Sequence, residues 1–137
     1  MKTAVDSSVL LDVLGADPAF GPASREALRA AFDGGALVAC DVVWAEVRAH
    51  FQDDAEFDDA VGDLGLSFSP LSREAARLAG ALWRRHHATS QRPRFRVVAD
   101  FLIGAHAQTE ADVLLTRDRG FFRKYFKDLK LLQPTTG

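Results

Sequence analysis

Thr3-Ala4-Val5-Asp6-Ser7-Ser8-Val9-Leu10-Leu11-Asp12-Val13-Leu14-Gly15 is the stretch on which the fold turns. Residues 3–5 are a short β-favouring run and read as a strand. Residues 7–14 read as a helix that stops at Gly15. A single aspartate separates the two, so the chain opens with a strand that hands directly over to a helix.

The alternation continues outward from this unit. Pro22 suits a helix start, residues 23–32 carry Leu28 and Phe32 four apart, and Gly34-Gly35 ends that helix. Residues 36–39 form a second strand, and Asp41 is placed to cap a helix running through Val42, Val43, Trp44, Val47 and Phe51. Residues 53–63 hold six acids and no base, which predicts a solvated helix. A third strand spans 66–69, and Ser72 opens a long helix with Glu74 in its first turn and Arg84-Arg85 near its end, matching the helix dipole. Residues 89–96 read as a basic loop, 97–109 as an apolar helix, 112–116 as a fourth strand, 121–125 as a short helix and 129–132 as a last strand. Strands alternating with helices predict an α/β fold whose parallel sheet is covered on both faces. Such sheets carry their sites at the carboxyl ends of the strands.

The length of 137 residues fits one domain over 1–137, with no linker or repeat. Apolar residues at 47% and charged residues at 26% mark an ordinary globular composition rather than a disordered one. No stretch approaches a membrane span. Asp6 and Asp12 interrupt the apolar N-terminus too early for a secretory signal. Cys40 is the single cysteine, which excludes an intramolecular disulfide, fits a reducing cytoplasm, and reads as a small buried residue at a strand end. Net charge is only −2 but unevenly spread. Residues 1–83 carry 6 Lys/Arg against 14 Asp/Glu, and residues 84–137 carry 11 against 5. One half is suited to phosphates, although an unevenly charged solvated surface gives the same numbers.

Four acids stand out by position. Asp6 ends the first strand, Asp118 follows the fourth, Glu46 lies in the helix after the second, and Asp100 interrupts the apolar run Val97-Val98-Ala99-Asp100-Phe101-Leu102-Ile103. Strand ends and the first turns of following helices share one edge, so all four can meet there. Each also has a structural reading. Asp6 and Asp118 suit helix caps, Glu46 suits an outward-facing position, and Asp100 suits an arginine partner such as Arg94 or Arg96. Together the acids favour a different reading, because carboxylates at one edge repel unless a cation sits among them. An all-oxygen set suits Mg²⁺ or Mn²⁺ rather than Zn²⁺, and metal held by acids suggests phosphoryl chemistry. There is no HxxxH pair, no P-loop or GxGxxG after a strand, and no nucleophile elbow around Ser7 and Ser8.

At these residues the sequence resembles the PIN-domain family, and within it the VapC toxins of toxin–antitoxin pairs. Val5-Asp6-Ser7-Ser8-Val9-Leu10-Leu11 is similar to the first motif, in which a strand delivers an aspartate followed by a small hydroxyl residue. Glu46 falls where the family has its glutamate. Asp100-Phe101-Leu102-Ile103-Gly104-Ala105-His106-Ala107 resembles the third motif, and Leu114-Leu115-Thr116-Arg117-Asp118-Arg119-Gly120-Phe121-Phe122 the fourth. The match spans almost the whole chain in order. It departs at Ser8, where many relatives have asparagine.

The resemblance implies a three-layer α/β/α sandwich with a five-stranded parallel sheet in the order 3-2-1-4-5, its switch point between strands one and four. It implies a Mg²⁺-dependent endoribonuclease in which Asp6, Glu46, Asp100 and Asp118 hold the metal and Ser7 and Thr116 support them. It also implies a homodimer and inhibition by a VapB-like antitoxin. That partner is expected over the helix of Val42, Val43, Trp44, Val47 and Phe51, although ordinary core packing also explains Trp44 and Phe51. Arg92, Arg94 and Arg96 precede the Asp100 helix, and Arg117 and Arg119 flank Asp118, so these five are expected to meet RNA phosphates, with simple exposure as the alternative. Two other functions are weighed. One is a catalytically silent PIN-like module that binds RNA or protein, for which a repelling cluster has no use. The other is a phosphatase, which the missing second aspartate two residues after Asp6 disfavours.

Overall fold

The computed structural model describes residues 1–89 and 98–135, with the side chain of Thr89 also left aside. Five three-residue strands form one sheet: β1 (Thr3–Val5), β2 (Leu37–Ala39), β3 (Leu66–Phe68), β4 (Val113–Leu115) and β5 (Lys130–Leu132). Their order is β3-β2-β1-β4-β5, and every neighbouring pair is parallel. Both are as expected. The helices are α1 (Ser7–Leu14), α2 (Gly21–Asp33), α3 (Asp41–Arg48), α4 (Asp54–Leu64), α5 (Arg73–Thr89), α6 (Val98–Glu110) and α7 (Arg119–Tyr125).

Burial along the strands shows that both faces of the sheet are covered. Successive residues of a strand point to opposite faces, and all three residues are buried in each of β1, β2 and β4. A half-solvated sheet would alternate instead. Only the edge strands break the pattern, with Leu66 alone buried in β3 and exposed ends on β5. Around the sheet, α1 packs on α2 and α3, and α6 packs on α5, α3 and β4. Phe101, Phe122, Phe126, Leu10, Leu37 and Leu114 are fully enclosed between these layers.

Helix ends follow local chemistry, with one correction. Asp53 caps α4 by accepting from the Glu56 amide at 2.9 Å, and Gly65 ends that helix in the left-handed region at φ 71°. Ser72 caps α5 through the Ala75 amide at 3.0 Å. Asp41 is not the cap of α3. Cys40 holds that position, and the Asp41 carboxylate accepts from the Leu71 amide at 2.7 Å. Leu71 lies past the end of β3, where the ladder no longer supplies an acceptor, so a side chain does so.

The apolar run of α6 buries Phe101, Ile103, Gly104, Ala105, His106 and Ala107, most of the way round the helix. Gly104 lets α6 lie directly on Phe126, because a Cβ there would fall inside that ring's envelope. Asp100 sits in the first turn of this helix and is partly exposed.

Candidate functional site

The site forms where the strand order reverses, between β1 and β4. The Asp6 amide extends the ladder by donating to the Leu115 carbonyl at 2.9 Å, and Thr116 does the same one strand over, to Leu132 at 3.0 Å. These bonds fix the two chain segments that carry Asp6 and Asp118 side by side. Asp6 occupies the N-cap position of α1 yet makes no side-chain capping bond. Its carboxylate turns to the neighbouring strand instead, where Thr116 Oγ1 donates to Oδ2 at 2.7 Å. Ser8 Oγ stands at 3.5 Å from the same oxygen.

Thr116 is fully buried and serves both acids. Besides donating to Asp6, its hydroxyl oxygen accepts from the Asp118 amide at 2.9 Å. Asp118 is the N-cap of α7, with Oδ1 3.5 Å from the Phe121 amide, so the capping reading holds for Asp118 where it fails for Asp6. On the other side, Ser7 Oγ donates to Glu46 Oε1 at 2.5 Å. Glu46 is exposed, as the outward reading expected, but tethered to the turn that follows Asp6.

Electrostatics links Asp6 to two more of the acids. Burial is the largest cause raising the Asp6 carboxyl above its ordinary value, and the charges of Asp100 and Glu46 add to it. The Thr116 hydroxyl and the Ser7 amide oppose the rise. Among the described residues, no three His, Cys, Asp or Glu side chains stand close enough to hold an ion as they are placed. The donors around Asp6 are nevertheless carboxylate and hydroxyl oxygens without sulfur, a set chemically suited to a hard divalent cation.

Cys40, His106 and His86 are further groups capable of chemistry, and all three are buried. Cys40 is buried, and burial pushes its thiol up, away from nucleophilic form. His106 is buried with Nε2 2.9 Å from Ser69 Oγ, and burial pulls its pKa down. His86 Nδ1 lies 2.5 Å from the Tyr125 hydroxyl. Trp44 packs edge-on against Phe57 and Phe68 at 5.4 and 5.3 Å, and Phe51 meets Phe57 at 5.7 Å. These rings are used within the chain, as the core-packing alternative had it.

Among the arginines, Arg92, Arg94 and Arg96 lie outside the described residues. Arg119 Nη1 donates to Gln133 Oε1 at 3.1 Å. Arg117 is committed to an acid the sequence reading passed over. Its Nε and Nη2 reach Asp12 Oδ2 and Oδ1 at 2.8 and 3.0 Å. The signal for Asp12 was there, an acid inside the apolar run Val9-Leu10-Leu11-Asp12-Val13-Leu14. It is the same signal that singled out Asp100.

Comparison with known proteins bears on the family and the fold. The PIN domain model matches residues 3–127, and the chain belongs to that family. Among solved structures, the chain is similar to VapBC2 from Rickettsia felis bound to a DNA fragment from their promoter. That likeness has a TM-score of 0.74 and 15% identity, covering 97% of this chain and 98% of that one. A toxin–antitoxin complex from Klebsiella pneumoniae aligns with a TM-score of 0.70 and 17% identity, over 98% and 99% of the two chains. VapBC-1 from nontypeable Haemophilus influenzae aligns with a TM-score of 0.70 and 18% identity, over 99% and 100%. At these identities the likeness is one of fold. No curated protein sequence matches the chain significantly. No helix among the described residues is long and apolar enough to cross a membrane.

Proposed function

We propose that this protein is a divalent-metal-dependent endoribonuclease of the VapC toxin type, held in check by a VapB-like antitoxin. The observation that carries the reading is the placing of Asp6 at the carboxyl edge of β1 and β4, its carboxyl raised first by burial and further by the charges of Asp100 and Glu46. PIN domains are generally nucleases that use divalent metals, and the oxygen-only donor set fits one. Asp6, Glu46, Asp100 and Asp118 are the residues we assign to Mg²⁺, with Mn²⁺ as its substitute. The ion, when bound, supplies a lowered pKa for water and positive charge for the phosphate oxygens.

The part played by the chain itself is placement. Thr116 aims Asp6, Ser7 aims Glu46, and the start of α7 aims Asp118. Arg119, with Arg92, Arg94 and Arg96, is assigned to RNA phosphates, which makes affinity fall steeply with salt. We further propose a cytoplasmic homodimer whose partner is an antitoxin encoded nearby. The toxin–antitoxin complexes among its structural neighbours support that assignment.

The test is purified protein on total RNA, with Mg²⁺ and with excess EDTA, beside Asp100→Asn. Metal-dependent cleavage leaving 5′-phosphate and 3′-hydroxyl ends is expected, with the variant silent. A 2′,3′-cyclic phosphate product, or full activity in EDTA, overturns the mechanism. Expression alone should arrest growth, and the neighbouring gene should relieve the arrest.

A further inference from the structure

We propose, resting on the reading above, that Asp12 and Arg117 form a clamp that orients the turn at 116–118 and through it Asp118. Arg117 lies in sequence between Thr116 and Asp118. Its guanidinium meets the Asp12 carboxylate as a fork, through two hydrogen bonds of 2.8 and 3.0 Å. Asp12, in the last turn of α1, is only 4% exposed, and it accepts a third bond from Ser24 Oγ of α2 at 2.8 Å. The Phe20 ring supports the guanidinium, 4.2 Å from its central carbon. The planar fork fixes direction as well as distance, which a lysine ammonium cannot do.

The turn is therefore held at two points on the β1–α1 unit. Thr116 Oγ1 is bonded to Asp6 Oδ2 at 2.7 Å, and Arg117 is bonded to Asp12 six residues further on. At about 1.5 Å rise per helical residue, these anchors lie roughly 9 Å apart. The Thr116 amide and hydroxyl hold the start of the turn to β5 and to Asp6, and the Arg117 fork adds an anchor one residue further along, next to Asp118. The next peptide is the one whose amide bonds Thr116 and whose carboxylate caps α7. The clamp thus sets how Asp118 faces Asp6 without Arg117 touching substrate. Net stability is a poor reason for such a pair, because desolvation offsets the attraction and apolar replacement of both partners is often neutral. Orientation is the better reason.

The test is the double variant Asp12→Leu/Arg117→Met, which removes both charges and leaves no buried ion unpaired. Ser24 can then donate to its own helix. The clamp predicts a melting temperature within a few degrees of wild type. It also predicts a kcat for RNA cleavage lower by about 100-fold, an unchanged KM, and faster hydrogen exchange at the Asp118 and Phe121 amides. Arg117→Lys, charged but without the fork, should fall between the two proteins, and it carries the same measurements if the double variant does not fold. A wild-type kcat in the folded variant reduces the pair to a fold contact and overturns the clamp. A raised KM with a shallower salt dependence overturns it too, in favour of a phosphate contact. If the wild type leaves RNA intact, the nuclease reading fails, and exchange decides the clamp alone. Unchanged protection at Asp118 and Phe121 then sinks it.

Discussion

Asp6 and Asp12 sit six residues apart on one β–α unit, and the protein treats them in opposite ways. Asp12 is enclosed by an arginine fork and a serine hydroxyl. Among the described residues, the donors to Asp6 are the uncharged Thr116 hydroxyl and Ser7 amide, and the charges of Glu46 and Asp100 beside it share its sign. A buried charge that the chain pairs internally is architecture. One that the chain leaves among like charges favours a cation from outside. The contrast separates the two roles better than burial, since the paired acid is the more deeply buried.

Neutralising each acid should therefore have opposite consequences. Asp6→Asn is expected to lower RNA cleavage on the order of 10³-fold, the equivalent of several kcal/mol of lost charge stabilisation. Its melting temperature in EDTA should match or exceed wild type. A variant that cleaves well would remove Asp6 from the site and collapse the contrast. Arg117→Ala strands the Asp12 carboxylate. It should cost about 3 kcal/mol of stability, roughly 10 °C in Tm for a chain of this size. Thermal melts that show no loss would mean that Asp12 is better hydrated than its burial implies.

Thr116→Val tests the link between the two strands. The change keeps shape and deletes the hydroxyl that Asp6 and the Asp118 amide share. Raising the Mg²⁺ concentration needed for half-maximal cleavage by about 10–100-fold is the expected result. An unchanged Mg²⁺ dependence would leave the hydroxyl with a structural job only.

The smallest effect sharpens the electrostatic side. The Asp6 carboxyl is raised in the folded protein, so between its ordinary and raised values the folded state binds more protons than the unfolded. Stability of the metal-free wild type then falls as pH climbs through that window. The Tm advantage of Asp6→Asn should be full near neutral pH and shrink as pH drops. It should vanish below the ordinary carboxyl value of about 3.8. Parallel melts in EDTA from pH 7 to 3 check this, and a constant difference across the range would count against it.

The sequence revealed what depends on neighbours along the chain. The opening strand and α1 appear with the bounds read from residues 3–14, since a β-branched run followed by an apolar helix needs no distant partner. Two helix starts differ from the expectation, one through a local cap and one through a distant bond. Helix α7 begins at Arg119 rather than 121, because Asp118 supplies the cap, and Asp41 left its capping role for an amide 30 residues away. Asp6 and Thr116 were legible as a pair of strand ends, but their bond across 110 residues was not. Asp12 escaped notice because its meaning depends on an arginine 105 residues distant. The arginines weighed as partners for Asp100, Arg94 and Arg96, lie outside the described residues, whereas Asp12 has its arginine within them.

The contact between Gly104 and Phe126 has a consequence for anyone engineering a sturdier version of the protein. Exchanging helical glycines for alanine is a standard route to stabilisation, worth about 0.5–1 kcal/mol per site through the entropy of the unfolded chain. Gly62 and Gly80 suit it, since a methyl at either meets nothing within 4 Å. At Gly104 the same exchange would drive a methyl into the Phe126 ring and lift α6, the helix that bears Asp100, away from its neighbours. A library built on helix propensity alone should exclude this position, where the gain in local order would come with a displaced Asp100.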